Sequence, residues 1–362
     1  MNVKGLSLLF VTGLIGSLPV TAAAKLQMHV FQQDAQPPTS KQVQSGLKFH
    51  VFNAPNSDNQ PLPVANTNTD KKEPILSYHF GDTYIKTGYR RDELYWNKAG
   101  LNNTPNILSE LTWENLEIAT LSAGTTLFIK KNWFVTADFS IGYIYDGDNQ
   151  DSDYLGDNRT LEFSRSNNGA DEGATYDISL ATGYRWQPNS VVELRPLVGI
   201  SYHAQNLKMV DGQQTLSVAP YQTYPVGPIP GLDSSYDSTW LSPWLGLDSI
   251  FTISDKFKIG LGFEYHYALY DATADWNLRG DRAHPESFTM EAKGSGLIGQ
   301  IEGQYQITPK LSLNLDINYQ DWSADKDGKQ VIYWADDTTT KLKFNEVHWD
   351  SYSINFGVNL QL

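Results

Sequence analysis

The stretch Leu311-Ser-Leu-Asn-Leu-Asp-Ile-Asn-Tyr319 alternates strictly between apolar and polar side chains. Two further stretches repeat the pattern, Phe257-Lys-Ile-Gly-Leu-Gly-Phe-Glu-Tyr-His-Tyr267 and Tyr352-Ser-Ile-Asn-Phe-Gly-Val-Asn-Leu-Gln-Leu362. Successive side chains of a β-strand point to opposite faces, so each stretch predicts a strand with one apolar and one polar face. Charged residues such as Glu264 and Asp316 fall on the polar face. A polar interior with an apolar exterior is typical of a transmembrane β-barrel, whose wall faces lipid.

The first residues have the pattern of a secretory signal peptide. Lys4 precedes the short apolar run Leu6-Ser-Leu-Leu-Phe-Val11, and Ala22-Ala-Ala24 supplies a small-residue cleavage site. This pattern predicts a signal peptide at 1–24 and export from the cytoplasm. Residues 25–75 are rich in Gln, Pro, Asn and Asp, which predicts an extended polar segment in the periplasm.

Composition narrows the class of protein. The formal net charge of −14 argues against a nucleic-acid partner, since phosphate binding requires an excess of Lys and Arg. The chain has no Cys, which excludes disulfides and thiolate metal ligands. Its 20 Tyr and 10 Trp fit the aromatic girdles that mark the two membrane interfaces of a barrel. We expect an integral outer-membrane protein with lipid as its main partner.

The part of the chain at 76–362 divides into ten predicted strands. They cover residues 76–95, 109–128, 133–146, 173–186, 191–208, 239–253, 257–274, 288–306, 311–325 and 344–362. Short turns at 129–132, 187–190, 254–256 and 307–310 alternate with longer polar loops at 96–108, 147–172, 209–238, 275–287 and 326–343. The sequence therefore predicts an all-β, ten-stranded antiparallel transmembrane β-barrel with an N-terminal extension. Its long loops are expected outside the cell and both termini in the periplasm.

The predicted barrel resembles the omptin family of outer-membrane proteases. The resemblance is clearest in Leu108-Ser-Glu-Leu-Thr-Trp113, in Gly124 and in Ser242-Pro-Trp-Leu-Gly-Leu247, and 257–305 matches in strand and turn length. It implies a monomeric surface endopeptidase that activates a water molecule, acts on basic or cationic peptides and needs no metal or other cofactor. It also implies contact with lipopolysaccharide and a dependence of activity on that lipid.

The omptin acidic pair has a counterpart here. The family carries Asp-x-Asp followed by an aromatic residue after its third strand, and Asp151-Ser-Asp153-Tyr154 matches that pattern. The resemblance assigns both carboxylates to water activation, which needs a base near the water. Asp146-Gly-Asp148 is a competing pair in the same acidic stretch. A solvated acidic loop or a calcium loop over 146–157 remains an alternative interpretation.

The second half of the omptin site departs from the family pattern. Omptins carry Asp-x-His after the seventh strand, whereas Asp275-Trp276-Asn277 stands here. An asparagine amide cannot act as a base at neutral pH. His284, in the same predicted loop, is the nearest histidine that could take the role. The family's Ser-Arg-His motif is likewise reduced to Ser164-Arg-Ser166.

Asp92 aligns with an acidic residue that omptins use to hold basic substrate groups. The second such position is Thr273, which is not acidic, although Asp271 lies nearby. The sequence thus supports two hypotheses. One is an omptin-like endopeptidase that uses Asp151 and Asp153 together with Asp275 and His284. The other is a non-catalytic barrel, namely an adhesin, a ligand-binding protein or a structural protein; a narrow porin fits least. Asn277 leaves the enzymatic assignment open.

Overall fold

The computed structural model describes residues 78–221 and 224–361. The predicted signal peptide at 1–24 and polar extension at 25–75 lie outside the described residues. Within them, no helix is long and apolar enough to cross a membrane.

Strands account for most of the described chain. They are β1 (Tyr78–Lys98), β2 (Ser109–Ile129), β3 (Trp133–Gly156), β4 (Thr160–Gly169), β5 (Gly173–Tyr184), β6 (Val192–Ser217), β7 (Gly227–Pro228), β8 (Asp233–Thr252), β9 (Phe257–Asp275), β10 (Phe288–Thr308), β11 (Leu311–Tyr333) and β12 (Thr339–Gln361). One short 3₁₀ turn, Leu101–Asn103, follows β1.

The strands close into an antiparallel barrel. The strand β1 pairs with both β2 and β12, and pairing continues around the ring through β11, β10, β9, β8 and β6. The gap between β3 and β6 is filled by β5 at one level and by β4 at the other, so these two form one interrupted strand. Ten strands therefore surround the axis at each level, which confirms the predicted all-β, ten-stranded antiparallel fold.

The four predicted turns are confirmed, because each falls between two consecutive long strands. The predicted loops at 147–172, 209–238 and 326–343 are wrong in extent. In the structure β3, β6 and β11 run on through the first part of these stretches, and β4, β8 and β12 occupy the return. The apolar–polar alternation that marks the lower strands is weaker there, so the predicted strands ended too early.

An apolar belt surrounds the half of the barrel nearer the short turns. Its exposed side chains are Ile85, Leu121, Phe139, Ile141, Ile178, Leu180, Val198, Ile200, Leu245, Leu247, Leu261, Phe263, Leu297, Ile301, Leu315, Ile317, Ile354, Phe356 and Val358. Exposed aromatic residues border the belt. They are Trp133, Tyr184, Trp186 and Tyr305 on the turn side and Tyr143, Tyr176, Tyr202, Tyr265, Tyr267, Tyr319 and Tyr352 on the other. This is the expected outer surface of a membrane-spanning barrel.

Inside the belt, the barrel contains a polar lumen. One cavity of ≈ 370 Å³ is lined by charged and hydroxyl side chains from most strands. Lys86 lies 2.9 Å from a carboxylate oxygen of Glu302 and 2.8 Å from one of Asp316. The predicted polar interior is therefore present at the level of the belt.

Beyond the belt, the interior changes to a packed layer of aromatic side chains. This aromatic layer consists of Trp96, Trp113, Tyr236, Trp240, Tyr270, Trp322, Phe344 and Trp349, each at most 1% exposed. Trp322 and Trp349 stack with ring centroids 5.5 Å apart, and the rings of Trp240 and Tyr270 lie 4.6 Å apart. On β1 the order is Lys86 in the lumen, then Trp96, then Lys98 at the mouth. The layer thus separates the lumen from the mouth.

Candidate functional site

The predicted acidic pair lies at the mouth of the barrel. Asp151 and Asp153 belong to β3 rather than to a loop, which corrects their expected placement. They pair with Leu111 and Ser109 of β2, which are buried on the inner side of the wall. Both carboxylates therefore point inward, above the aromatic layer and beyond the apolar belt.

Two adjoining cavities meet at this pair. One of ≈ 80 Å³ extends towards Asn168, Gln214 and the apolar side chains of the β7–β8 connection. The other, of ≈ 70 Å³, extends towards Lys98 and Arg282. Asp151, Asp153, Trp276 and Arg279 line both cavities. We call the two cavities together the mouth pocket.

Burial and mutual repulsion govern the charges in the mouth pocket. Burial raises the pKa of the Asp151 carboxyl well above its ordinary value, and the neighbouring charge of Asp153 adds to the rise. The pKa of Asp153 is also raised, mainly by burial, while Lys98 opposes the shift. Burial lowers the pKa of the Lys98 amine to about 8, and the cation of Arg282 contributes to that fall. Both shifts favour the neutral, protonated form of the two carboxyl groups.

The second predicted pair, Asp275 and His284, also forms, but it lies away from the mouth pocket. Nδ1 of His284 lies 2.5 Å from Oδ1 of Asp275, and the two side chains are 39% and 28% exposed. Asp275 has the same strand parity as Leu261 and Phe263, which face outward, and β9 pairs without a register shift. Asp275 is therefore on the outer face of the wall, whereas Asp151 and Asp153 are on the inner face. The structure joins the residues within each pair but separates the two pairs.

Asn277 has a structural role in the loop after β9. Its Oδ1 accepts hydrogen bonds from the Asp233 backbone N–H at 3.1 Å and from the Ser234 hydroxyl at 3.0 Å. Its Nδ2 donates to the Gly231 carbonyl at 2.7 Å. The amide therefore ties this loop to the start of β8, which a histidine could not do with the same three bonds.

Asp92 lies below the mouth, within the buried core. It is 0% exposed, and Arg90 donates to both of its oxygens at 2.7 and 2.6 Å. Gln205 and the Trp349 indole N–H donate to Oδ2 at 3.2 and 3.1 Å. These contacts occupy the carboxylate on every side, and the aromatic layer lies over it. In this arrangement Asp92 holds Arg90 and offers no surface to a substrate.

The remaining sequence alternatives are separate from the mouth pocket. Asp146 and Asp148 are exposed, and Asp148 accepts a hydrogen bond of 3.3 Å from Asn115. Arg165 of the Ser-Arg-Ser motif pairs with Glu162 of the same strand. Among the described residues, no cluster of three His, Cys, Asp or Glu side chains is arranged to hold a metal ion.

The sequence pattern did not predict the aromatic layer or the cations beside the acidic pair. The layer and Lys98 could have been predicted by continuing the alternation of inward and outward positions along each strand towards the mouth. On β1, the inward positions that carry Lys86 and Arg90 continue to Trp96 and Lys98. Arg282 lies in the loop after β9 and has no such signal, since loop geometry is not set by strand parity.

Comparisons with known proteins support the barrel. The crystal structure of the outer membrane protease OmpT from Escherichia coli matches with a TM-score of 0.68 at 13% identity, covering 80% of this chain and 99% of that one. The translocator domain of the autotransporter NalP from Neisseria meningitidis matches with a TM-score of 0.32 at 12% identity, over 78% of this chain and 88% of that one. The first match shows a common fold. A search of curated proteins gave no significant match.

Family membership comes from a sequence model. The model described as "Pom: Protochlamydia outer membrane protein" matches residues 84–362, which include all but the first residues of the barrel. The apolar belt, its aromatic borders and the closed strand ring agree with an outer-membrane location. This chain is an outer-membrane β-barrel and belongs to the Protochlamydia outer membrane protein family.

Proposed function

We propose that this protein is a sealed, non-proteolytic barrel of the outer membrane that binds a small ligand in its mouth pocket. The aromatic layer is the observation that carries the proposal. It closes the bore below the mouth, where a porin would need a continuous water path. The mouth pocket above it remains open to a small molecule.

Peptide hydrolysis has little support from the geometry. A general base must lie within hydrogen-bond reach of the water that it activates. His284 and Asp275 lie on the outer face of the wall, whereas Asp151 and Asp153 face inward. Among the described residues, a water held by the acidic pair would therefore have no histidine beside it. Asn277, at the position of the family histidine, is held by three hydrogen bonds.

Diffusion through the barrel also has little support. The rings of Trp240, Trp322 and Trp349 pack against one another with centroids 5.5–6.1 Å apart. Below them, His203 and His266 contact the Trp322 ring at 4.9 and 4.8 Å. Such packing leaves no room for a hydrated ion, since interiors of this kind are close-packed.

Two measurements on the refolded barrel in lipopolysaccharide-containing membranes test this function. A pooled library of peptides with dibasic sites should remain uncleaved, and planar bilayers should show no conductance steps. The double variant Asp151→Asn/Asp153→Asn serves as the matched control for cleavage. Cleavage by the parent but not by this variant would overturn the proposal in favour of an enzyme, and steps with the parent would establish a pore.

An endopeptidase is the second candidate. The observations in its favour are the pair of carboxyl groups with raised pKa values and the His284–Asp275 couple, which forms although Asn277 replaces the family histidine. This candidate acts as a monomer on cationic peptides, needs no cofactor and depends on lipopolysaccharide. His284→Ala, assayed with the same peptide library, should abolish cleavage if the couple takes part.

The mouth is proposed to face the outside and both chain ends the periplasm. The chain has no native Cys, so a single cysteine reports its own accessibility. Asp327 is exposed near the mouth, and Asp255 is exposed in a short turn at the other end. In intact cells an impermeant maleimide should label Asp327→Cys and leave Asp255→Cys unlabelled. The reverse result would invert the orientation.

A further inference from the structure

We propose that the mouth pocket is a binding site for a small zwitterion, such as a free α-amino acid with a short apolar side chain. This inference rests on the proposed ligand-binding function and names the class of ligand. It follows from the acceptors and donors without partners that line the two cavities.

The ≈ 80 Å³ cavity presents acceptors without partners. Within the part of the chain that the structure describes, Oδ1 of Asp151 is buried with no hydrogen-bond partner. Asn168 is 6% exposed, and its Oδ1 is also buried and unpartnered. The Asn168 amide nitrogen already donates to Asn149 at 2.7 Å and to Ser166 at 3.2 Å, which fixes the oxygen as the free end. Buried acceptors without partners are costly, so this cavity favours a ligand that donates, such as an ammonium group.

The ≈ 70 Å³ cavity, which Asp151 and Asp153 also line, adds donors. Nη1 of Arg282 is buried with no partner, while its guanidinium lies 3.9 Å above the Trp334 ring. Across the described residues, the Lys98 ammonium has no carboxylate within ion-pair distance. Arg279, by contrast, is engaged by both oxygens of Asp281 at 2.8 Å. Nε of Arg282 lies 3.8 Å from Oδ2 of Asp281. Among the described residues, the cationic donors left without a partner are therefore the Lys98 ammonium and Nη1 of Arg282, and they favour a carboxylate.

The common wall of the cavities favours one ligand with both charges. An ammonium ion alone would leave Nη1 of Arg282 without a partner, and a carboxylate alone would leave Oδ1 of Asp151 and Oδ1 of Asn168 without one. Burial disfavours the charged forms of Asp151, Asp153 and Lys98, and a zwitterion across the wall would supply a counter-charge to each. The ammonium and carboxylate of an α-amino acid are separated by one carbon, which suits two adjoining cavities.

The remaining lining suits a short apolar side chain. Met209, Ile229, Leu232 and Leu278 line the acceptor cavity on the side of the β7–β8 connection. By volume, a water molecule needs about 10–15 Å³ in such a cavity, so the two cavities together accommodate on the order of ten non-hydrogen atoms. We therefore expect alanine to valine to fit and a dipeptide to be excluded.

The test compares L-valine with two analogues that each lack one charge. Isobutylamine is valine without the carboxylate, and isovalerate is valine without the ammonium group. Titration calorimetry on the folded barrel in detergent should give valine at least a tenfold lower Kd than either analogue. Equal or weaker binding of valine would overturn the proposal, even if the barrel neither cleaves peptides nor conducts ions.

Two variants should weaken the binding of valine but differ in which analogue they affect. Arg282→Met should weaken valine at least tenfold and leave isobutylamine unchanged, because only the carboxylate site is lost. Asp151→Asn should weaken valine and isobutylamine but not isovalerate. Lys341→Met, on the exposed outer wall, is the matched control and should change nothing. If Arg282→Met fails to fold, Lys98→Met gives the same test. Parallel losses for all three ligands would contradict the assignment.

Discussion

In the two halves of the barrel, the apolar side chains lie on opposite faces of the wall. Along β9, Phe263 and Tyr265 point outward to the apolar belt while Glu264 points into the lumen. A few residues further on, Tyr270 points inward to the aromatic layer while Asp271 is exposed. The apolar face of one continuous strand thus passes from the outside of the wall to the inside.

The inversion follows from what surrounds each half. At the belt, lipid accepts the apolar side chains, so the interior can remain wet. Above the belt the outside is aqueous, and apolar side chains can be removed from water only by packing inward. The upper half is therefore built like a soluble β-barrel on top of a membrane barrel. This comparison predicts that matched substitutions will cost much more stability above the belt than within it.

The largest effect is expected in the aromatic layer. Trp322 is 0% exposed and contacts Trp240, Trp349 and two histidine rings. Trp322→Ala should lower the free energy of unfolding by about 3–5 kcal/mol, the cost of a large cavity in a packed core. Urea unfolding followed by circular dichroism measures it. In the lumen, Gln300→Ala should change stability by no more than about 0.5 kcal/mol. Equal costs would mean that the two halves are equally packed.

A smaller effect is expected for the buried charge below that layer. Asp92→Asn removes the bidentate partner of Arg90, which keeps its 2.7 Å contact with Asp177. Breaking a buried pair leaves an uncompensated charge, and we expect a loss of about 3 kcal/mol because Asp177 compensates in part. The same unfolding assay measures this loss. A cost below about 1 kcal/mol would show that water reaches Asp92.

The lumen offers the matching ion pair. Arg195 and Glu193 are paired at 2.5 Å and are 16% and 15% exposed, and both line the cavities near the short turns. Water in these cavities can replace the lost contact, so Glu193→Gln should cost about 1 kcal/mol or less. The cost should also decrease at high salt. A loss as large as that of Asp92→Asn would contradict a wet lumen.

The sequence predicts the lower half well and the upper half poorly. Within the belt, the side chains of Leu311–Tyr319 alternate because one face of the strand contacts lipid and the other contacts water. The strands and turns predicted there are confirmed. Above the belt, alternation between a charged outer face and a small or aromatic inner face is weaker. The stretch Asp146-Gly-Asp-Asn-Gln-Asp151 contains no apolar residue although it lies within β3.

The site is harder to predict because a sequence motif does not show on which face of the barrel wall its side chains lie. The motif at Asp151 and Asp153 locates a real carboxyl pair, but it cannot show that Asp275 belongs to the outer face. That requires the register of β9, since a shift of one residue moves a side chain across the wall. The contact of His284 with Asp275 depends on the conformation of the β9–β10 loop, on which the sequence pattern gives no information.

The smallest effect is expected from protons in the mouth pocket. The folded-state pKa values of Asp151 and Asp153 are raised, whereas aspartates of the unfolded chain titrate near 3.9. At pH values between the unfolded and the folded pKa, the folded chain therefore binds more protons than the unfolded chain. Their contribution to stability is fully present below the unfolded pKa and is lost as the pH rises through the folded values. The parent should therefore gain stability relative to Asp151→Asn/Asp153→Asn when the pH falls from 7 to 4.

Unfolding in urea at several pH values across this window measures the difference. This pH range lies below the pKa of the Lys98 amine, which is lowered to about 8. The contribution of Lys98 to the pH dependence of stability has the opposite sign and occurs at higher pH. A parent and double variant with parallel pH profiles would mean that water compensates the two carboxylates as fully as in the lumen. The upper half would then be dry only in the aromatic layer. A relative gain at low pH would instead extend the dry region to the mouth pocket, where a ligand's ammonium group would supply the positive charge that protonation supplies in its absence.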